Sequence, residues 1–377
     1  MDLDLTPEQE LVRETVRTFA RERVAPLAEE LDRESRFPYE LVAELAELGL
    51  MGMPIPEEYG GGGTDTVSYA LMIEELTRVD SSVAITVAAH TSLGTMPIYL
   101  FGTEEQKRQW LPELASGKRL AAFGLTEAGA GSDAGATRTT AVLEDGQWVV
   151  NGSKIFITNA GTDITGCVTI TAVTGPDEIS NVIVPNGAAG YGISQPMKKL
   201  GWKASDTREL SFDDCAVPAG NLLGPRGQGF AQFMEILDGG RISVAAMGVG
   251  LAQGAYDLAL EYAQERVQFG RPIAKFQEIQ HKLVDMATEI EAGRALVIKA
   301  AWLKDQGRPF AREAAMAKLY TGELSHRAAN WALQIHGGYG FMDEYAISRL
   351  YRDQKILEIG EGTNEIQRMV IAKHLGL

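Results

Sequence analysis

The chain has 377 residues, 45% hydrophobic and 23% charged, with a formal net charge of −16. That length suits two or three globular units, and the acidity argues against a nucleic-acid-binding surface, which needs clustered Lys and Arg to neutralise phosphates. Two cysteines without C-x-x-C spacing, Cys167 and Cys215, argue against a disulfide framework and for a reducing compartment.

The first ten residues, MDLDLTPEQE, lack the basic-then-apolar pattern of a secretory signal. No apolar run approaches the roughly 20 residues that cross a bilayer. The expectation is a soluble cytoplasmic protein of bacterial type, or a processed organellar one. Thr6, Pro7 and Gln9 form a capping-box signature with proline at the first helical position. Leu11, Thr15, Val16, Phe19, Ala20 and Val24 then recur at three- and four-residue steps, the stripe of an amphipathic helix. Pro26 is expected to interrupt that helix, because it has no N–H to donate. Further helical patterns run through residues 39–48, 66–78 and 104–114, with a glycine-rich loop at 56–63.

From about Leu120 to Leu223 the pattern changes to short β-branched runs. Residues 141–150 read as two strands joined by the Asp145-Gly146 turn, and 154–158, 168–173 and 181–184 read as further strands. After Gly227 the helical period returns, through 230–237, 242–263, 276–306 and 308–335. The arrangement predicts an α+β protein, a small antiparallel β-domain set between two helical regions.

The most conspicuous glycine motif, Gly129-Ala-Gly131-Ser-Asp-Ala134, matches the dinucleotide fingerprint G-x-G-x-x-A. That fingerprint requires a helix after the turn, whereas residues 135–143 carry a strand pattern. The string is therefore either a tight-turn loop or a loop whose amides, with the Ser132 hydroxyl, donate to a ligand such as a flavin or a thioester.

Six segments together point further. They are Phe123-Gly-Leu-Thr-Glu-Ala-Gly-Ala-Gly-Ser-Asp133, Asn151-Gly-Ser-Lys-Ile-Phe-Ile-Thr-Asn159, Leu200-Gly-Trp-Lys-Ala-Ser-Asp-Thr-Arg208, Glu265-Arg-Val-Gln-Phe-Gly-Arg-Pro-Ile273, Gln334-Ile-His-Gly-Gly338 and Glu361-Gly-Thr-Asn-Glu-Ile-Gln-Arg368. In this order they resemble the acyl-CoA dehydrogenase family across most of the chain. The resemblance implies an N-terminal helical domain (1–119), a middle antiparallel β-barrel-like domain (120–225) and a C-terminal four-helix bundle (226–377). It also implies FAD bound between β-domain and bundle, a homotetramer, an acyl-CoA substrate and electron-transfer flavoprotein as acceptor. The implied reaction is α,β-dehydrogenation to the trans-2-enoyl-CoA, with the α-proton going to a glutamate and the β-hydride to flavin N5.

By position, the resemblance assigns Phe123, Leu125, Thr126, Gly131 and Ser132 to one side of the flavin, and Phe156 and Thr158 to another. An isoalloxazine ring needs an apolar face and a few donors, which a strand carrying Phe156 and Thr158 can supply. Arg266, with Gln277 and the loop bearing Gln334, Gly337 and Gly338, would meet the FAD pyrophosphate of a neighbouring subunit, as a guanidinium fork suits phosphate. Phe269, Thr363 and Glu365 complete the cofactor set. Ser132, Asp238, Arg241 and Gly362 would face the substrate. Read without the resemblance, Phe156 is a core aromatic, Arg266 a solvated helix end, Gly337-Gly338 a helix-breaking turn, and Asp238 with Arg241 an intrahelical ion pair.

Removing an α-proton from a thioester requires a carboxylate beside the α-carbon and a polarised carbonyl. Glu358, Glu361 and Glu365 are not separated by spacing alone. The resemblance selects Glu361, because Gly-Thr follows it, and implies a carboxyl with raised pKa. Some relatives carry the base just before the arginine of an Asp-x-x-Arg segment, where this chain has Gly240, which cannot act as a base. Many relatives carry a bulky residue before the C-terminal base, where this chain has Gly360. Short, medium, branched and aromatic acyl groups all remain compatible, with short or medium favoured by the compact chain; the acyl pocket would be formed partly by residues 87–93, with Gly360 nearby. The five histidines show no ligand spacing, so no metal is predicted. The rival readings are an oxygen-using acyl-CoA oxidase-like flavoenzyme, a flavin monooxygenase, disfavoured by retention of Glu361, and a catalytically silent scaffold of the same fold.

Overall fold

The computed structural model describes residues 4–377. Thr6 accepts from the Gln9 N–H while its own N–H donates to the Gln9 side chain, so the capping box opens α1 (Pro7–Phe19). The chain stays helical beyond it. A π-helical turn, Ala20–Val24, leads into α2 (Ala25–Glu34), and Pro26 sits in the first turn of that continuation, where its missing N–H is tolerated. The expected interruption is therefore a local change of pitch. The helices α3 (Tyr39–Glu47), α4 (Thr66–Val79), α5 (Ser81–Ala88), α6 (Met96–Phe101) and α7 (Glu104–Ala115) follow, with a second π-helical turn, Ala89–Thr95, between α5 and α6. Asp80 ends α4 and caps α5 by accepting from the Val83 N–H. The helical stretch Ser81–Phe101 amends the reading that no run has the length and apolarity of a membrane span. Its apolar window is 78% buried inside the molecule, so here it serves as core.

The middle of the chain forms one sheet from β1 (Leu120–Gly124), β2 (Thr140–Glu144), β3 (Gln147–Thr158), β4 (Thr165–Gly175), β5 (Glu178–Pro185), β6 (Tyr191–Ile193), β7 (Thr207–Pro218) and β8 (Leu222–Leu223). The order is β6-β7-β3-β2-β4-β5-β8, with β1 paired to β4. The β2–β3 hairpin turns through Asp145 and Gly146, both at positive φ as a two-residue hairpin turn requires. The sheet is mixed where the sequence predicted it antiparallel: β1 and the first residue of β2 run parallel to β4. The chain between β1 and β4 contains the whole β2–β3 hairpin, long enough for the crossover that parallel pairing needs.

The C-terminal part comprises α8 (Gly229–Glu265), the small hairpin β9 (Val267–Gln268) and β10 (Arg271–Pro272), α9 (Gln277–Asp305), α10 (Ala311–His336), α11 (Ala346–Asp353) and α12 (Asn364–Leu375). The helical periods read over 230–237 and 242–263 both fall in α8. It is one helix of 37 residues. Each interior glycine costs about 1 kcal/mol relative to alanine, and packing against α4, α9 and α10 overrides that cost. One apolar core runs without a break from the N-terminal helices into the bundle, joining Leu41, Met72 and Leu76 to Val249, Val297 and Leu324. The sheet encloses a second core around Trp148, Ile170 and Phe212, and a third joins α7, through Leu111 and Leu114, to Ile183 and Leu223.

Candidate active site

Glu361 lies in the turn that feeds α12. Its φ is +52°, and Gly362 follows at +90°, so two consecutive residues occupy left-handed space. For a residue with a Cβ that conformation costs about 1–2 kcal/mol, and the turn is held from several sides. The Gly360 N–H donates to the Ile356 carbonyl at 2.7 Å. The Gly362 carbonyl accepts from Lys318 Nζ at 2.9 Å and from Gln367 Nε2 at 2.8 Å. Thr363 caps α12 by accepting from the Ile366 N–H. The turn's backbone reaches the surface, but both carboxylate oxygens of Glu361 are sealed from solvent and neither has a hydrogen-bond partner.

The carboxylate rests against α8 at Gly240. A methyl group there would collide with Glu361 Oε2 and would also touch Leu93. Glycine at the alternative position thus makes the space that Glu361 fills. Burial pushes the Glu361 carboxyl up to about 7, against the opposing pull of Lys318 and Arg241. The other two glutamates differ. Glu358 is ion-paired with Lys355, and Glu365 is exposed in the first turn of α12, its carboxyl held below the usual range by backbone N–H and the Thr363 hydroxyl. Only Glu361, of the three, is buried and unpartnered.

Leu93 connects this turn to the sheet, because the adjacent Gly94 packs directly on Ala121 of β1. Near the end of β1, Phe123 stacks on Phe233 of α8 with ring centroids 5.0 Å apart. Leu125 and Thr126 are half-buried and tied back to β3: the Leu125 carbonyl accepts from Lys154 Nζ and the Thr126 carbonyl from the Ile155 N–H at 2.8 Å. Gly129, Gly131 and Ser132 then project as an exposed loop, and nothing stands within 4 Å of a side chain built on either glycine. No helix follows the glycines; the chain passes through a short 3-10 turn, Ala134–Ala136, into β2. Phe156 is not the core aromatic that its strand context suggests. A register shift in β3 puts it at φ +63°, out of the pleat and 63% exposed, while Thr158 stays in register with Thr207.

Asp238 and Arg241 form the intrahelical pair, 2.5 Å apart, yet Arg241 is buried and its Nε has no partner. The remaining candidates assemble elsewhere. Arg266, at the end of α8, lies 5.4 Å from the Tyr339 ring, and Gln277, Gln334, Gly337 and Gly338 are exposed around it. Phe269 is 93% exposed. At 1.5 Å per residue, Arg266 is about 40 Å along α8 from Gly240, so one chain does not bring this group to Glu361.

Sequence reasoning missed Lys318 and Gln367, which hold the turn, and the Glu127–Lys154 pair beneath the glycine loop, 2.7 Å apart and buried. A signal for Lys318 was present. It shares the inner stripe of α10 with Ala314, Ala317 and Thr321, where a cation needs a reason.

The chain matches the family models described as the N-terminal, middle and C-terminal domains of acyl-CoA dehydrogenase, over residues 6–118, 122–215 and 227–376. It is 53% identical to the "Probable acyl-CoA dehydrogenase YngJ" of Bacillus subtilis over 380 residues, covering 100% of both. Among solved structures it is similar to butyryl-CoA dehydrogenase from Megasphaera elsdenii, with TM-score 0.97, 44% identity and 100% of each chain covered. A chain from the structure described as the electron transferring flavoprotein of Acidaminococcus fermentans matches with TM-score 0.97 and 44% identity, covering 100% of this chain and 99% of that one.

Proposed function

The chain belongs to the acyl-CoA dehydrogenase family, and from that premise we propose that it oxidises a short-chain acyl-CoA between Cα and Cβ, with Glu361 taking the α-proton. It is an oxidoreductase and its cofactor is FAD. The residues fit that group: Phe156 offers an exposed aromatic face beside Thr158, and the loop of Gly129, Gly131 and Ser132 stands in open space. When bound there, FAD supplies the acceptor for the hydride leaving the β-carbon.

The observation that carries the reading is the dry, unpartnered Glu361 carboxylate. A carboxyl at about 7 is a stronger base than an ordinary one and is about half ionised at neutral pH. Phe123 and Phe233 stack where the sheet meets α8, and the Arg241 Nε is a free buried donor near the base that could meet a polar group of the substrate. Likeness to the Megasphaera butyryl-CoA dehydrogenase supports a short acyl group. Likeness to the Acidaminococcus chain supports electron-transfer flavoprotein as acceptor. The distance between Arg266 and Glu361 supports a homo-oligomer in which Arg266 and the Gly337-Gly338 turn serve the cofactor of a neighbouring copy. The test is Glu361→Gln with FAD and butyryl-CoA in a stopped-flow mixer. Flavin reduction should slow at least about 10³-fold while FAD and thioester still bind; near-parental reduction overturns the assignment.

A further inference from the structure

Lys318 is fully buried, and burying an ammonium is costly unless it is paired and hydrogen-bonded. Its two partners are neutral oxygens: the Gly362 carbonyl at 2.9 Å and Asn364 Oδ1 at 3.2 Å. The same Gly362 carbonyl already accepts from Gln367 Nε2, which also reaches the Glu361 carbonyl at 3.3 Å. Two donors from two different helices thus converge on one peptide, at the point where φ is positive twice in succession. A single neutral donor would satisfy that carbonyl. The second donor brings a positive charge into the floor of the turn.

We propose that Lys318 is a positioning residue for the base: it pins the turn that aims Glu361 at the substrate α-carbon, and its charge keeps the carboxylate ionised where burial would protonate it. This rests on the reading of Glu361 as the base. The groups that face Glu361 are few. Tyr69 approaches from α4, a buried phenol whose own ionisation Glu361 opposes. Arg241 approaches from α8, but Asp238 beside it offsets its charge. Glu358 from the preceding turn and Glu365 from α12 bear on Lys318 rather than pairing with it. Lys318 is therefore the cation near the base that has no carboxylate of its own. Burial takes its ammonium down to about 8, so it remains charged at neutral pH.

The experiment is the pH profile of kcat/KM for FAD-loaded protein with butyryl-CoA and an artificial electron acceptor. In Lys318→Met the midpoint of the acid limb should move up by about one unit from near 7, since an opposite charge nearby shifts a carboxyl by about that much. Turnover at pH 7 should fall about 10-fold or more and partly recover at pH 8.5. Gln367→Met removes the neutral half of the clamp and should lower kcat without moving the midpoint. Lys318→Gln, which keeps a donor but no charge, is read in the same way should the methionine variant lose FAD. The displacement is also read without turnover, from the pH at which the widening gap between the melting temperatures of Glu361 and Glu361→Gln proteins levels off, in parental and Lys318→Met backgrounds. A midpoint that stays near 7 without the lysine charge overturns the proposal. If Glu361→Gln keeps turning over, the base assignment fails first; if it is inactive and the Lys318→Met limb is unmoved, only the role of Lys318 falls.

Discussion

Two of the molecule's buried carboxylates lie in surroundings that push them in opposite directions. Glu127, under the glycine loop of the sheet, accepts from Lys154 Nζ at 2.7 Å, from the Thr137 hydroxyl, and from the N–H groups of Arg138 at 2.7 Å and Thr139 at 3.0 Å. Burial alone would raise its pKa, but those donors override it and hold the carboxyl down at about 2. Glu361 accepts nothing, and burial takes it up to about 7. Low dielectric is common to both. The number of donors decides whether a buried acid becomes a structural anion or a group poised to take a proton.

That contrast can be tested in order of expected effect. Glu361→Gln should cost the most in function, the 10³-fold loss of flavin reduction, about 4 kcal/mol of barrier. Glu127→Gln should cost the most in stability, about 3–5 kcal/mol in denaturant melts, because it strands the buried Lys154 ammonium. A cost near zero would mean that the Lys154 cluster re-satisfies itself and the contrast is false. Gly240→Ala should lower turnover about 10- to 100-fold with FAD still bound, since its methyl must displace Glu361 Oε2.

The smallest effect concerns pH and stability, and its sign differs at the two sites. Glu361 has a folded pKa above its ordinary value, so folding favours the protonated form. The penalty is absent below the ordinary carboxylate range, grows toward pH 7 and is constant above it. Glu361→Gln should therefore raise the melting temperature at pH 8 and leave it nearly unchanged at pH 4.5, a gain of about 1–3 kcal/mol. Glu127 has a depressed pKa, so what it contributes at neutral pH is lost as pH falls below the ordinary range toward 2. Parallel slopes in Glu361→Gln and Glu127→Gln melts would break the comparison.

Much of the fold was legible because its signals are local. The capping box at Thr6 and the Asp145-Gly146 turn are short-range hydrogen-bond and φ requirements, and both stand where the sequence puts them. The points that local pattern left open depend on the folded chain. The helical periods over 230–237 and 242–263 leave Gly239-Gly240 unexplained until the carboxylate of residue 361 is laid against Gly240. Phe156, core on strand context alone and flavin-facing by the resemblance, is turned outward by the bulge in β3. At the candidate site the family motifs drew attention to Glu361; of the two donors beneath its turn, Gln367 lies within the Glu361–Arg368 segment without being singled out, and Lys318 lies on α10 outside every motif.

Because α4 and α8 share one core, the N-terminal helices and the bundle form a single cooperative body, although a whole sheet is threaded between them in the chain. The sheet has its own interior, with a smaller cluster tying Ile183 and Leu223 to α7. Amide exchange should divide accordingly, with the slowest protons of α4, α8 and α10 released together and those of β3 and β7 forming a separate class. A protease that nicks the exposed loop at Gly129 and Gly131 should leave two fragments that stay associated. Each would carry half of a core that neither can close alone.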